Sequence, residues 1–299
     1  AHVVHALLVA REAGFAIEGD VIEAGMESLA QEIDEDLAAL EITGGRAETI
    51  RAYALWVRHR AGQGVVGEAA RLVDASASIE GMSLDAQAWL VEVLAARPEG
   101  FRHRDRLLHA LENRVTETAG AAHMVTRFED GDQMLMHSDR RSDALVLGAL
   151  MGVDPTHDLI AKLVRGLDSN RINGRWRNTQ ENVFVLLALR RYFDRFEGVE
   201  PDFETTAWLG DKFAGSFQFK GRTADRKQLD VPMEALLEMG HGAEGPLDLL
   251  LHHEGAGRLY WRAGLEYAPA DHSLPGVDRG FVVERHYEAV DDPGDLWRD

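Results

Sequence analysis

The 299-residue chain contains no cysteine. It therefore forms no disulfide, carries no thiolate nucleophile and holds no cysteine-ligated zinc. That absence leaves the compartment open, because many exported bacterial proteins also lack cysteine. Basic charge is scarce: Lys and Arg total 32 against 51 Asp and Glu, a formal charge of −19. With no basic run of helix length, nucleic acid is not an expected partner. No apolar run is long enough to span a bilayer, and no signal peptide stands at the start. Gly-rich phosphate loops, the serine-hydrolase elbow, HExxH and calcium loops are all missing. These absences remove the commonest nucleotide, hydrolase and metal chemistries.

What is present is a globular composition, 45% apolar, arranged as helices in series. The organising stretch runs from His137 to Phe196. A helix opening at SDRR carries Ala144 to Met151 and is apolar nearly all round. Pro155 is placed at the first helical position of the amphipathic DLIAKLVRGLDS. In NTQENVFVLLALRRYF, Asn178 caps the helix and Glu181 completes a capping box. Val183 to Leu189 is seven apolar residues in a row, too continuous for one wet face. Upstream, buried helices are expected over His2–Ala13, Ala47–Arg60 and Ser83–Ala96. Each has a polar outer partner: Asp20–Leu37, Gly67–Ser76 and about His103–Thr118. The apolar cores of the buried helices start at Ala6, Ala54, Ala88, Ala144 and Phe184, irregular intervals of 34 to 56 residues. Irregular spacing argues against a strict solenoid, and buried–exposed hairpins in series predict an α/α toroid. No strand is expected before residue 120. Around Asp130-Gly131, HMVTRF and QMLMHS read as a hairpin, either a lid or a decorated loop.

Near residue 200 the period changes from 3.6 to 2. TTAWLGDKFAGSFQFKG reads as two strands joined at Gly210-Asp211, with Phe213, Phe217 and Phe219 on one face. QLDVPMEALLEMG reads as a strand running into a helical turn, and PLDLLLHHEGAG as a strand. RLYWRAGLEYAP has the clearest alternation, and FVVERHYEAV begins a further strand. The expected fold class is α + β multidomain, a partial α/α toroid followed by an antiparallel β-sandwich segment. Expected limits are 1–200 for the toroid, 201–270 for the sandwich part, and 271–299 for a linker and first strand of a truncated domain. AHVVHALLVA begins inside a helical pattern and nothing after Asp299 completes the last strand, so both ends read as interior points of a longer polypeptide.

Candidate chemistry is weighed residue by residue. His103 and His109 lack i,i+4 spacing, and His252-His253 face opposite ways on a strand. The run Glu32–Leu37 (EIDEDL) superficially resembles the magnesium-binding carboxylates of helical cyclases, but it lies on a half-wet helix. Glu181 is explained by capping, Trp176 by packing, and His137 and Asp139 by their place at a helix start. No residue is assigned as catalytic, cofactor-binding or metal-ligating, and no cofactor is expected.

GRWRNTQENVFVLLALRRYF resembles the end of the thioester domain in the alpha-2-macroglobulin and complement family. There a Gly-rich turn, an aromatic residue and Thr-Gln introduce the last inner helix, and Gly174, Trp176, Thr179 and Gln180 match. SDALVLGALMGVDPTHDLIAKLVRGL is similar to the preceding helix pair. GRLYWRAGLEYAP resembles the last strand of the CUB-like domain into which that toroid is inserted. GFVVERHYEAVDDPGD resembles the opening of the last macroglobulin domain in bacterial members. The resemblance implies a fragment of a broad-spectrum bacterial protease inhibitor that traps proteases after bait cleavage. It implies a periplasmic or cell-surface location, with the parent lipid-anchored to the inner membrane. The fragment's implied role is structural and non-enzymatic. Its implied partners are other domains of the same polypeptide, and target proteases through the whole protein, with no nucleic acid or direct membrane contact. The family's Cys-x-Glu-Gln has no counterpart here, and Gln180 is not the thioester glutamine. The alternative is an α/α-barrel enzyme, a glycoside hydrolase or terpene cyclase, using acidic residues in a central cavity.

Overall fold

The structure, a computed structural model, describes residues 1–126, 137–223, 226–240 and 246–267. The hairpin expected around Asp130-Gly131 and the strand FVVERHYEAV lie outside these residues. Among the described residues the fold is mixed α and β, with eleven α-helices and two small antiparallel sheets. No described helix is long and apolar enough to cross a membrane. The chain divides into two compact units, Ala1–Leu229 with Asp248–Arg262, and Asp230–Leu247 with Ala263–Asp299.

In the first unit five helices form an inner row: α1 (His2–Glu12), α4 (Gly44–Arg60), α6 (Leu84–Leu94), α8 (Asp139–Val153) and α10 (Thr179–Tyr192). Each packs against the next in that order. The outer helices are α2 (Gly19–Gln31), α3 (Ile33–Ala39), α5 (Val66–Ala75), α7 (Phe101–Glu112) and α9 (Leu159–Ser169). Of these, α2 packs on α1 and α4, α5 on α4 and α6, α7 on α6, and α9 on α8. The two layers follow from patterning. In α6 every residue except Glu92 is buried, and α8 is buried without interruption from Arg141 to Met151. The outer helices instead bury one stripe, as α9 does with Leu159, Ile160, Leu163, Gly166 and Leu167.

Four expectations about helices require correction. The helix expected over Asp20–Leu37 is bent at Glu32, after which Asp34, Glu35 and Asp36 occupy the first turn of α3. Carboxylates are favoured at a helix N-terminus, so the acidic run opens a new helix better than it continues an old one. Secondly, α7 stops at Glu112, and Val115–Glu117 forms β1, paired with β2 (Ala122–Met124). A strand therefore does precede residue 120. Arg114 is drawn out of helical continuation by its backbone and side chain, which bond across to Val125. Thirdly, Pro155 is not the first helical residue, since α9 begins at Leu159. The Asp154 carboxylate accepts from the Thr156 N–H (2.9 Å) and hydroxyl (2.6 Å), closing a side-chain turn there. Finally, α10 is not buried all round, because Val183 and Leu186 are 46% and 57% exposed.

The start of α10 shows how local chemistry fixes an element. The Asn178 side chain accepts from the Glu181 N–H at 2.9 Å. The Glu181 carboxylate reaches back to the Arg177 N–H (2.8 Å), one residue before the expected partner in a capping box. Asn182 clamps Trp176 from both sides, accepting its N–H and donating to its carbonyl. The buried indole N–H of Trp176 donates to the Leu167 carbonyl at 2.8 Å, tying the turn to α9.

The larger sheet has strand order β4 (Lys212–Lys220), β3 (Asp202–Leu209), β5 (Leu249–Ala256), all antiparallel. Phe203, Thr205 and Ala207 form its most buried face, with Phe217 and Phe219 beside them. Phe213 does not join them. A register shift between Ala207 and Trp208 pairs Phe213 with Trp208, edge to face at 5.5 Å on the other side. RLYWRAGLEYAP forms no strand over its described residues. Its Tyr260 hydroxyl instead bonds Tyr192 and Glu197 at the end of α10, and Arg258 lies over the Phe196 ring. In the second unit, the helical turn expected after Pro232 is a full helix, α11 (Met233–Gly240), whereas residues 228–232 do not form the expected strand.

Candidate functional site

The inner helices bring polar and aromatic side chains together at their N-terminal halves. Ser83 caps α6 by accepting from the Ala86 N–H, and its hydroxyl meets that of Thr49 on α4 at 2.8 Å. Two residues on, Asp85 is wholly buried. One of its oxygens accepts from the Ser142 hydroxyl (2.6 Å). The other bonds His137 Nδ1 (2.9 Å) and lies 3.4 Å from Arg141 Nε. Burial alone would raise its pKa, but Arg141, His137 and Ser142 outweigh burial and hold it below the usual carboxylate range.

The Arg141 guanidinium lies over Phe184 of α10 (4.9 Å) and Trp89 of α6 (5.6 Å). Trp89 stacks on Tyr53 of α4 with centroids 4.5 Å apart. The Tyr53 hydroxyl meets Nδ1 of both His5 (2.8 Å) and His2 (3.1 Å) on α1. Burial, then Arg60 and His2, push the His5 pKa down to about 3, so this imidazole is neutral. Burial raises that of Tyr53, keeping its phenol protonated. One chain of contacts thus runs through all five inner helices.

A second buried aspartate, Asp143, follows on α8. One oxygen accepts from the Met124 N–H of β2 at 2.8 Å. The other has no hydrogen bond among the described residues and lies 3.1 Å from Arg140. Here burial wins and pushes the pKa up to about 7; Arg140 and the Met124 bond oppose it, and Asp139 and Glu181 reinforce it. Two equally buried aspartates on neighbouring helices thus have their pKa values pushed in opposite directions by the number of their partners.

Ser142, His137 and Asp85 are residue types that also build nucleophilic triads. Here the serine and the imidazole both bond the same carboxylate, whereas a triad needs the imidazole to receive the serine proton. Asp85 and Asp143 are fully buried. The arrangement cements helices together. Two surface clefts lie elsewhere, one of about 440 Å³ between the Val73–Glu80 segment and α7, and one of about 310 Å³ by β1 and the start of α9.

The residues weighed in the sequence fall in scattered places. His103 meets Asp74 at 3.1 Å, while His109 lines the larger cleft. His253 lies against the Phe203 ring and His252 is exposed on the opposite face. Asp34 of the acidic run pairs with Arg51 at the surface. Asp139 accepts from the Thr126 hydroxyl, and Ser138, between His137 and Asp139, is the actual cap of α8. Among the described residues no group of three or more His, Asp or Glu side chains is placed to hold a metal. Sequence reading missed Asp85, Asp143, Arg141, Tyr53 and His5. The available signal was an aspartate inside an otherwise apolar helix, in LDAQAWLV and RRSDALVL.

No protein-family model matches the chain. Among curated proteins, an alpha-2-macroglobulin homolog of a Nostoc species is 26% identical over 204 residues, covering 68% of this chain and 10% of that protein. Circularly permutated Ras protein 2 of Dictyostelium discoideum is 21% identical over 260 residues, covering 69% of this chain and 7% of that protein. The chain spans a tenth or less of either relative's length. Among solved structures, native alpha-2-macroglobulin from Escherichia coli, from domain MG7 to the C-terminus, gives a TM-score of 0.49. Its identity is 20%, over 74% of this chain and 32% of that one. Over 68% of its length, this chain is similar in sequence to a bacterial alpha-2-macroglobulin homolog.

Proposed function

We propose that the chain is a structural segment of a bacterial alpha-2-macroglobulin-like protease trap, located in the periplasm or at the cell surface. The observation that carries this reading is the alignment over 204 residues to the Nostoc alpha-2-macroglobulin homolog. On this reading residues 1–200 are part of an α/α toroid, 201–270 part of a CUB-like sandwich, and 271–299 the opening of a macroglobulin domain. The inner row of buried helices with half-exposed partners supports the first assignment. The three-stranded antiparallel sheet supports the second.

The segment does not catalyse. Its fully buried carboxylates, Asp85 and Asp143, bond to neighbouring elements and offer no pair to a substrate. An α/α-barrel hydrolase or cyclase would need such a pair facing a central cavity. Nor does the segment form a thioester, which requires a cysteine sulfur absent from the chain. Its partners are other domains of the same polypeptide, and it meets target proteases only through the whole protein. Incubating the purified chain with a protease and a labelled primary amine, followed by intact-mass measurement, tests this. The mass is expected to stay unchanged; a stoichiometric amine or protease adduct would overturn the reading.

A further inference from the structure

The β1–β2 hairpin is fastened across two helices by a small number of identifiable contacts. Ala122 and Met124 of β2 are buried. On one side the hairpin lies against α9 at Gly166, where a Cβ would sit inside contact distance of the Ala122 carbonyl and 2.8 Å from a His123 ring carbon. At the surface Lys162 of α9 pairs with Glu117 of β1 at 2.9 Å. On the other side the Met124 N–H donates to Asp143 of α8. That bond is the hairpin's buried polar attachment to α8, and it ends on an ionisable group with no access to water.

We propose that the β1–β2 hairpin is a proton-operated strap, seated on α8 and α9 while Asp143 is protonated and loosened as that carboxyl ionises. The reason is geometric. A neutral carboxyl still accepts the Met124 N–H, whereas an anion has one oxygen without a hydrogen bond in a dry site. The charged groups around it do not rescue the anion. Arg140 stands 3.1 Å away but also contacts His123 Nδ1 at 2.8 Å. His123 Nδ1 also lies 3.7 Å from that oxygen, but burial and Arg140 lower the His123 pKa, so this imidazole supplies little positive charge near neutral pH. Asp139 on α8 and Glu181 on α10 add negative potential.

Lifting β2 lets water reach the carboxyl, which then releases its proton at the ordinary carboxylate value. The seated state has the raised pKa, about 7 against the ordinary aspartate value of 3.8. It therefore binds more protons than the lifted state between those limits. Seating is complete below about pH 4, is lost progressively up to about pH 7, and is level above that.

Amide exchange of the full chain, corrected for intrinsic rates, tests the strap. Met124 protection is expected to fall by up to about tenfold per pH unit between pH 4.5 and 7 and then level off. Leu90 in α6 is expected to show no such change. Asp143→Asn, which keeps an acceptor and cannot ionise, is expected to give a pH-independent Met124. A flat wild-type profile, or the same slope in the Asn variant, would overturn the proposal. If the variant does not fold, a carboxyl NMR titration of Asp143 in the wild type decides. A midpoint near 7 supports the strap and one near 4 overturns it.

Discussion

Charge inside the helical unit is decided residue by residue, by how many partners each group finds. Asp85 has a hydroxyl, an imidazole and a guanidinium around it and stays ionised. Asp85→Ala removes the buried carboxylate shared by Arg141, His137 and Ser142, and breaking a buried charged pair in this way costs about 3–5 kcal/mol. Urea unfolding should show that loss with an unchanged denaturant slope. His5 is the opposite case, neutral because burial depresses its pKa to about 3. The unfolded chain binds more protons than the folded one between about pH 3 and 6.5, so the contribution of His5 is present above that window and lost as pH falls through it. The stability difference between wild type and His5→Gln should therefore grow with pH by up to about 1.4 kcal/mol per unit across the window. Asp143 acts with the reverse sign over about pH 4 to 7, so the wild type should look flatter than either single variant.

Single elements are held by their ends as much as by their faces. Asn178→Ala should cost about 0.5–2 kcal/mol by removing the cap of α10. Truncating buried Trp176 to Ala should cost about 3–5 kcal/mol. Equal, negligible losses in urea unfolding would place that turn on a wet surface, contrary to its packing here. Gly166→Ala should cost about 1–3 kcal/mol in thermal unfolding, because the added methyl meets the β2 backbone. Gly64→Ala meets nothing nearby and serves as the control. The cap of α10 and the Gly210-Asp211 turn are legible in the sequence because the interactions that make them lie within a few residues. Phe213 is not, since its face depends on where β3 and β4 slip relative to one another. Asp85 and Asp143 are not either, because a buried charge is defined by partners that helix packing brings together. The end of α7 fails for a related reason: Val115–Glu117 has weak local helical preference and is captured by pairing with β2.

The whole molecule carries a formal charge of −19. Its surface ion pairs, such as Arg60–Glu12 and Arg51–Asp34, add little individually. Net self-repulsion should dominate, so the melting temperature should rise as salt is raised from about 0.01 to 0.5 M. The layered helices are legible at this scale because buried and half-buried periodicities differ. The docking of the Arg258–Tyr260 stretch onto the end of α10 is not, because the same alternation also fits a strand. On the proposed reading this segment supports a protease trap without being one. The most direct test of that reading is the residual activity of a protease mixed with excess purified chain, on a large protein substrate and on a small peptide. Full activity on both is expected. Loss of activity on the large substrate with the peptide still cleaved would mean that the segment encloses proteases by itself, and would contradict it.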